Sequence, residues 1–154
     1  MSASPPLHPM EILSRIPYAR FLGVRAELAG DEMTAILPFS ERLIGNPTLP
    51  AIHGGVLGAF MEMTAVAQLA VSQAALRSAD EPFQHPRTID ITIEYLRSAR
   101  PETLYARALI KRVGRRIANV QVEAWQDQRQ APVCALHGHF LLRSEPEESN
   151  PPEV

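Results

Sequence analysis

The stretch Ala51–Leu76, "AIHGGVLGAFMEMTAVAQLAVSQAAL", opens with His-Gly-Gly and has one ionisable side chain between Gly54 and Leu76, Glu62. A carboxylate in such apolar surroundings is costly unless partnered, and groups so placed often have raised pKa values and catalytic roles. The bland alternative is an acid paired with an arginine or set on a partly exposed face. A helix N-terminus presents unpaired backbone N–H groups and a partial positive charge. Gly54 and Gly55 would let a ligand approach that backbone closely, which suits a carbonyl oxygen gaining negative charge. They would equally let the helix pack tightly on a sheet. His53 is a general base, a substrate-orienting donor, or a ring hydrogen-bonded to the local backbone. Asn46, in "LIGNPTLP", holds a water or a carbonyl, or shapes a turn.

Spacing constrains how these groups can cooperate. Glu62 lies eight residues past Gly54, about 12 Å along a helix axis and rotated by roughly 80°. It does not reach a carbonyl held at its own helix's N-terminus. If the two act together, Glu62 comes from a second copy of the helix running antiparallel across a two-fold interface. The spacing, if functional, predicts a dimer with shared sites.

The elements that must position these residues read as follows. "PMEILSRIP" predicts one short helix, with Pro9 in its first turn, Met10, Leu13 and Ile16 on one face, and Pro17 ending it. "FLGVRAELAGDEMTAILPFS" reads as two strands around Gly30-Asp31. "RLIGNPTLPAI" reads as a loop, followed by a long helix from Gly54 to about Arg77 and a second loop, "SADEPFQHPR". Four strands follow. In "TIDITIEYL", Ile89, Ile91, Ile93 and Tyr95 are expected on one face and Thr88, Asp90, Thr92 and Glu94 on the other. In "IANVQVEAW", Ala118, Val120, Val122 and Ala124 oppose Asn119, Gln121 and Glu123. Such alternation predicts an α+β fold, a curved antiparallel sheet wrapped around the long helix. The sheet covers part of that helix, and a second subunit is the economical cover for the rest.

The 154 residues favour a single domain. Residues 1–17 read as an N-terminal arm and short helix, 18–143 as the domain, and 144–154 as a disordered acidic tail. The net charge of −2 includes four glutamates in that tail, so residues 1–143 hold 15 basic against 13 acidic side chains. The total offers no reason to expect nucleic acid or an anionic membrane. No signal peptide is apparent in "MSASPPLHPM", and the single cysteine, Cys134, reads as a buried inert thiol in a reducing, cytoplasmic setting. The Gly54–Leu76 run is long enough to span a membrane, but it is diluted by Glu62, Thr64, Gln68, Ser72 and Gln73 and reads as a core helix.

"NPTLPAIHGGVLGAFMEMTA" resembles the active-site segment of hotdog-fold acyl-CoA thioesterases, the phenylacetate-pathway type related to 4-hydroxybenzoyl-CoA thioesterase. That family's pattern is His-Gly-Gly with an acid nine residues after the His, and nine beyond His53 is Glu62. "IEYLRSA" resembles the family's strand after the helix, and "KRVGRRIANVQVEAWQD" its Gly-Arg turn. The resemblance covers roughly residues 18–143. It implies a hotdog fold and hydrolysis of acyl-CoA to a free acid and coenzyme A. The Gly54 N–H would polarise the thioester carbonyl, with Gly55 beside it in substrate binding. Glu62 of the partner subunit would attack the carbonyl or activate a water, with Asn46 positioning water or substrate and His53 supporting the local geometry. Some relatives place an assisting hydroxyl one helical turn after the acid. Here that position is Val66, and Thr64 lies on another side of the helix.

Arg115 and Arg116 flank the turn around Gly114 and could grip phosphate, or form a solvated basic edge. His137 and His139 share a strand face, but no third metal ligand has fitting spacing. The expectation is a homodimer, or a dimer of dimers, acting on acyl-CoA without a metal or redox cofactor. An acyl-thioester dehydratase or hydratase of the same fold, and a non-catalytic acyl-CoA-binding protein, are the alternatives.

Overall fold

A computed structural model describes residues 7–78 and 84–142. The acidic tail, Pro5, Pro6 and the middle of the "SADEPFQHPR" loop lie outside the described residues. The chain begins with two short helices, α1 (Pro9–Leu13) and α2 (Pro17–Leu22). Pro17 ends nothing by itself: it is the first residue of α2, where its fixed φ and missing N–H do no harm. Helix α2 closes on Gly23, whose φ of 77° is the left-handed cap that glycine adopts without strain.

Strands β1 (Arg25–Ala29) and β2 (Glu32–Leu37) pair through the expected Gly30-Asp31 turn. The segment read as a loop instead forms a small hairpin, β3 (Ile44–Asn46) with β4 (Leu49–Ile52). Its Pro and Gly content hid three- and four-residue strands too short to show a periodicity. Helix α3 (Gly54–Leu76) follows, with Arg77 as its C-cap. The remaining strands are β5 (Arg87–Tyr95), β6 (Leu104–Val113), β7 (Ile117–Trp125) and β8 (Cys134–Leu141).

Six strands form one antiparallel sheet in the order β1-β2-β6-β7-β8-β5. Strands β2, β5, β6, β7 and β8 all contact α3, so the curved sheet wraps the helix as the alternation predicted. Met33, Ala35 and Leu37 of β2, Ala118 to Ala124 at alternate positions of β7, and Leu136 and Phe140 of β8 are buried against it. From Leu57 to Ala70, α3 is buried on nearly all sides. Its length and composition alone would suit a membrane span, yet 72% of its apolar window is inside the protein. Part of the cover expected from a second subunit comes from α1 of the same chain, which packs on α3 and buries Ile12 and Leu13 in the same core.

Strand β5 departs from its expected alternation. The pairing with β8 slips between Thr88 and Asp90, leaving Ile89 as an extra, bulged residue. Thr88 therefore lies opposite buried Phe140, on the same face as Ile91 and Ile93, and Ile89 turns outward to 51% exposure. The bulge corrects the sequence expectation at both positions, because one extra residue in a strand of period two exchanges its faces.

Candidate active site

Strand β4 delivers the chain to His53, which caps α3: its Nδ1 accepts the Gly55 N–H at 2.9 Å. Of the three readings for His53, this is the ring hydrogen-bonded to local backbone. The His53 carbonyl accepts from Val56 and Leu57 at 3.0 and 3.2 Å. Three of the first four amides of α3 are thus bonded, and the Gly54 N–H has no acceptor among the described residues. Among the described residues it is the one donor at this terminus left for a ligand. Gly45 packs against the imidazole so closely that a Cβ there would lie 2.7 Å from His53 Cδ2.

The glycines serve packing as well as access. A Cβ on Gly54 would meet the Tyr95 ring at 3.2 Å, and one on Gly58 would meet Ile93 Cδ1 at 2.7 Å. Tyr95 O–H donates to the Gly54 carbonyl at 2.9 Å, tying the end of β5 to the start of α3. Asn46 makes the turn reading real: its Oδ1 accepts from Thr48 N and Oγ1 at 3.0 and 2.7 Å, closing the β3–β4 hairpin.

Glu62 is half-buried and pairs with no arginine among the described residues. Its Oε1 instead accepts the Thr88 hydroxyl at 2.5 Å. The hydroxyl next to the acid is therefore neither at Val66 nor on Thr64, whose Oγ1 donates to the Phe60 carbonyl inside the core. It comes from β5, brought inward by the bulge. Thr88 and Tyr95 were missed because reading β5 by strict alternation put Thr88 on the outer face and gave Tyr95 only packing.

The structure separates these groups within one chain. Helix α3 is continuous, so Gly54 and Glu62 stand about 12 Å apart along it. It runs antiparallel to β5, with Gly54 beside Tyr95 at one end and Glu62 beside Thr88 at the other. The turn carrying Arg115 and Arg116 lies at the Thr88 end, since Ile117 and Arg87 both pair with Leu141. One chain thus gathers His53, Gly54, Gly55 and Asn46 at one end and Glu62 with the arginine turn at the other.

On the outer face, His139 Nδ1 lies 2.8 Å from Asp90 Oδ1 and His137 Nε2 lies 3.7 Å from Glu94 Oε1. Among the described residues, no group of three such side chains could hold a metal ion. Cys134 is buried, and burial pushes its thiol up to about 12. It is no nucleophile at neutral pH.

Comparison with known proteins gives consistent matches. Residues 49–133 match the family described as the thioesterase superfamily. The medium/long-chain acyl-CoA thioesterase YigI of Escherichia coli is 29% identical over 123 residues, covering 74% of this chain and 78% of its own length. A solved protein from Chromobacterium violaceum is 36% identical, with a TM-score of 0.65 over 86% of this chain and 88% of that one. A phenylacetic acid degradation-related protein from Ralstonia eutropha JMP134 shares the fold at 21% identity, with a TM-score of 0.69 over 88% of this chain and 99% of that one.

Proposed function

The chain belongs to the thioesterase superfamily, and on that premise we propose that it is an acyl-CoA thioesterase whose sites are shared between two subunits. The observation that carries this reading is Glu62, a half-buried carboxylate held by a hydroxyl and, among the described residues, not neutralised by an arginine. It lies on the same helix as the Gly54 N–H, which is unbonded among the described residues, but too far along to serve it.

The proposed reaction needs two events at the thioester carbon. The Gly54 N–H, at the positive end of α3, receives the carbonyl oxygen and stabilises its negative charge. Glu62 then either attacks that carbon, forming an anhydride that water opens, or takes a proton from a water that attacks directly. Both routes break the C–S bond, release coenzyme A as the thiol and leave the free acid. Thr88 holds the Glu62 carboxylate, His53 holds the helix start and Gly55 bounds the substrate. Asn46 fixes the neighbouring hairpin, within which it would position water or substrate. The chemistry calls for no metal or redox group.

The dimer reading is supported by β5, an edge strand nine residues long with its outer edge unpaired among the described residues. Two copies pairing antiparallel about a two-fold near Ile91 would bring the Tyr95–Gly54 end of one beside the Thr88–Glu62 end of the other. Arg115 and Arg116 would then meet the coenzyme's phosphates from the subunit that supplies Glu62. The likeness to YigI makes medium- and long-chain acyl-CoAs the first substrates to try, while the His-Gly-Gly spacing supports the phenylacetate-pathway type. The buried thiol of Cys134 fits the proposed cytoplasmic setting.

The test is hydrolysis of a panel of acyl-CoAs by the parent and by Glu62→Ala. A fall of about 10²–10⁴-fold in kcat is expected, and equal rates would refute the mechanism. Tight acyl-CoA binding without turnover by the parent would mark a binding protein instead.

A further inference from the structure

Gly54 Cα joins two peptide planes. The first carries the His53 carbonyl and the Gly54 N–H, the donor proposed above for the thioester oxygen. Val56 N–H and Leu57 N–H hold that plane by donating to the His53 carbonyl at 3.0 and 3.2 Å. The second carries the Gly54 carbonyl and the Gly55 N–H, and it is held at both ends. Gly55 N–H donates to His53 Nδ1 at 2.9 Å, and the Gly54 carbonyl accepts the Tyr95 O–H at 2.9 Å. Glycine has the widest backbone freedom of any residue, so outside bonds decide how firmly its dihedrals are set. Of these bonds, only the one from Tyr95 comes from another element.

Tyr95 is itself firmly placed. It ends β5, where it pairs with Cys134 of β8. The next two amides, Leu96 N–H and Arg97 N–H, both donate to the Val133 carbonyl, at 2.9 and 3.1 Å. Ile52, immediately before His53, donates its N–H to the Ala99 carbonyl at 3.0 Å, which joins the same segment to the start of α3. Two glycines a turn apart let this end of β5 approach the helix. A Cβ on Gly58 would lie 2.7 Å from Ile93 Cδ1, and one on Gly54 would lie 3.2 Å from Tyr95 Cε1 and 3.3 Å from its hydroxyl oxygen. The phenol ring thus stands where a side chain at position 54 would be, with its hydroxyl on that residue's carbonyl.

We infer that Tyr95 is a positioning residue for thioester hydrolysis, fixing through the Gly54 carbonyl the direction in which the Gly54 N–H points. This rests on the acyl-CoA reading above. With both planes held, φ and ψ at Gly54 are set, and the N–H direction with them. The phenol does not touch the reacting atoms, since its O–H is directed at the peptide carbonyl. Hydrogen bonds weaken steeply as they bend, so a donor stabilises an oxyanion only when aimed at it. Aim matters more to the transition state, where the oxygen gains negative charge, than to the bound ester. Its loss therefore appears in kcat rather than in KM.

The experiment compares Tyr95→Phe with the parent on an acyl-CoA that the parent hydrolyses. Phenylalanine keeps the ring against Gly54 and removes only the donor. The value of kcat should fall about fivefold, the scale of one hydrogen bond, with KM and Tm unchanged. An unchanged kcat overturns the inference, as does a loss confined to KM. A readout free of turnover uses Glu62→Gln with an acyl-CoA isotope-labelled at its carbonyl carbon. In difference infrared spectra the bound carbonyl band should lie below that of the free ester, and adding Tyr95→Phe should move it back toward the free position. A band that stays in place means that the ring contributes packing alone and overturns the inference, even where kcat and Tm have fallen. If the parent hydrolyses no acyl-CoA, the thioesterase reading fails, and the infrared comparison of parent and Tyr95→Phe alone decides whether Tyr95 orients Gly54.

Discussion

Thr88 meets one oxygen of Glu62, and the other oxygen has no partner among the described residues. A carboxylate held by a single hydroxyl keeps one rotamer while leaving lone pairs for a water or a carbonyl carbon. Valine at position 88 would keep the shape and remove the donor. Thr88→Val should lower kcat about tenfold, the scale of one hydrogen bond to a charged group, with little change in Tm. Thr88→Ser should restore most of the rate. Steady-state kinetics alongside thermal melts check this: a fall in Tm with kcat intact would make the bond purely structural. At this scale the sequence was legible where chemistry is local. His53 caps the helix two residues on, and Asn46 turns the chain two residues on. It was not legible for Thr88, which lies 26 residues from Glu62.

Among the elements, β8 offers a probe of how firmly the sheet is closed. Burial raises the Cys134 thiol from 9.0 to about 12, so the folded chain keeps it protonated where the unfolded chain would release the proton. The stability linked to this group is therefore present below pH 9 and is lost as pH rises from 9 toward 12. A thiol reagent at pH 8 should leave the native protein unmodified and label one cysteine per chain after denaturation in guanidinium, read by mass spectrometry. Fast native labelling would mean that β8 opens readily. Strand β2 buries Ile36 along with its expected inner face, whereas the unbroken alternation of β7 was legible in the sequence. The bulge at Ile89 was not, because it is defined by register against β8 and leaves no mark in the order of residue types. The β3–β4 hairpin was hidden because strands of three and four residues carry too few alternations to register.

For the whole molecule, the proposed shared site makes a quantitative prediction. Glu62→Ala keeps Gly54, and Gly54→Val keeps Glu62, so a mixed dimer would contain one complete site and one doubly defective site. Random reassociation of equal amounts makes half the dimers mixed, so activity should recover to about a quarter of the parent's. Recovery after co-refolding, with each variant inactive alone, checks this, and no recovery would place both residues in one subunit's site. Light scattering on the same samples distinguishes a dimer from a dimer of dimers. Because α1 already covers part of α3, the area left for a partner is smaller than the apolar helix alone suggested.

By itself, the sequence determined what depends on near neighbours. It set where α3 begins and ends, because capping and glycine chemistry act within a turn. It set which face of β7 is buried, because alternation has a period of two. It set the separation of Gly54 from Glu62, because helical rise is the same everywhere. Only the tertiary structure decided which hydroxyl holds Glu62 and which ring closes on Gly54. Those contacts join residues 26 and 41 positions apart through the register of β5 on β8 and its packing on α3. A one-residue bulge reverses which side chain faces the helix, and that choice is made by the competing packing of whole elements.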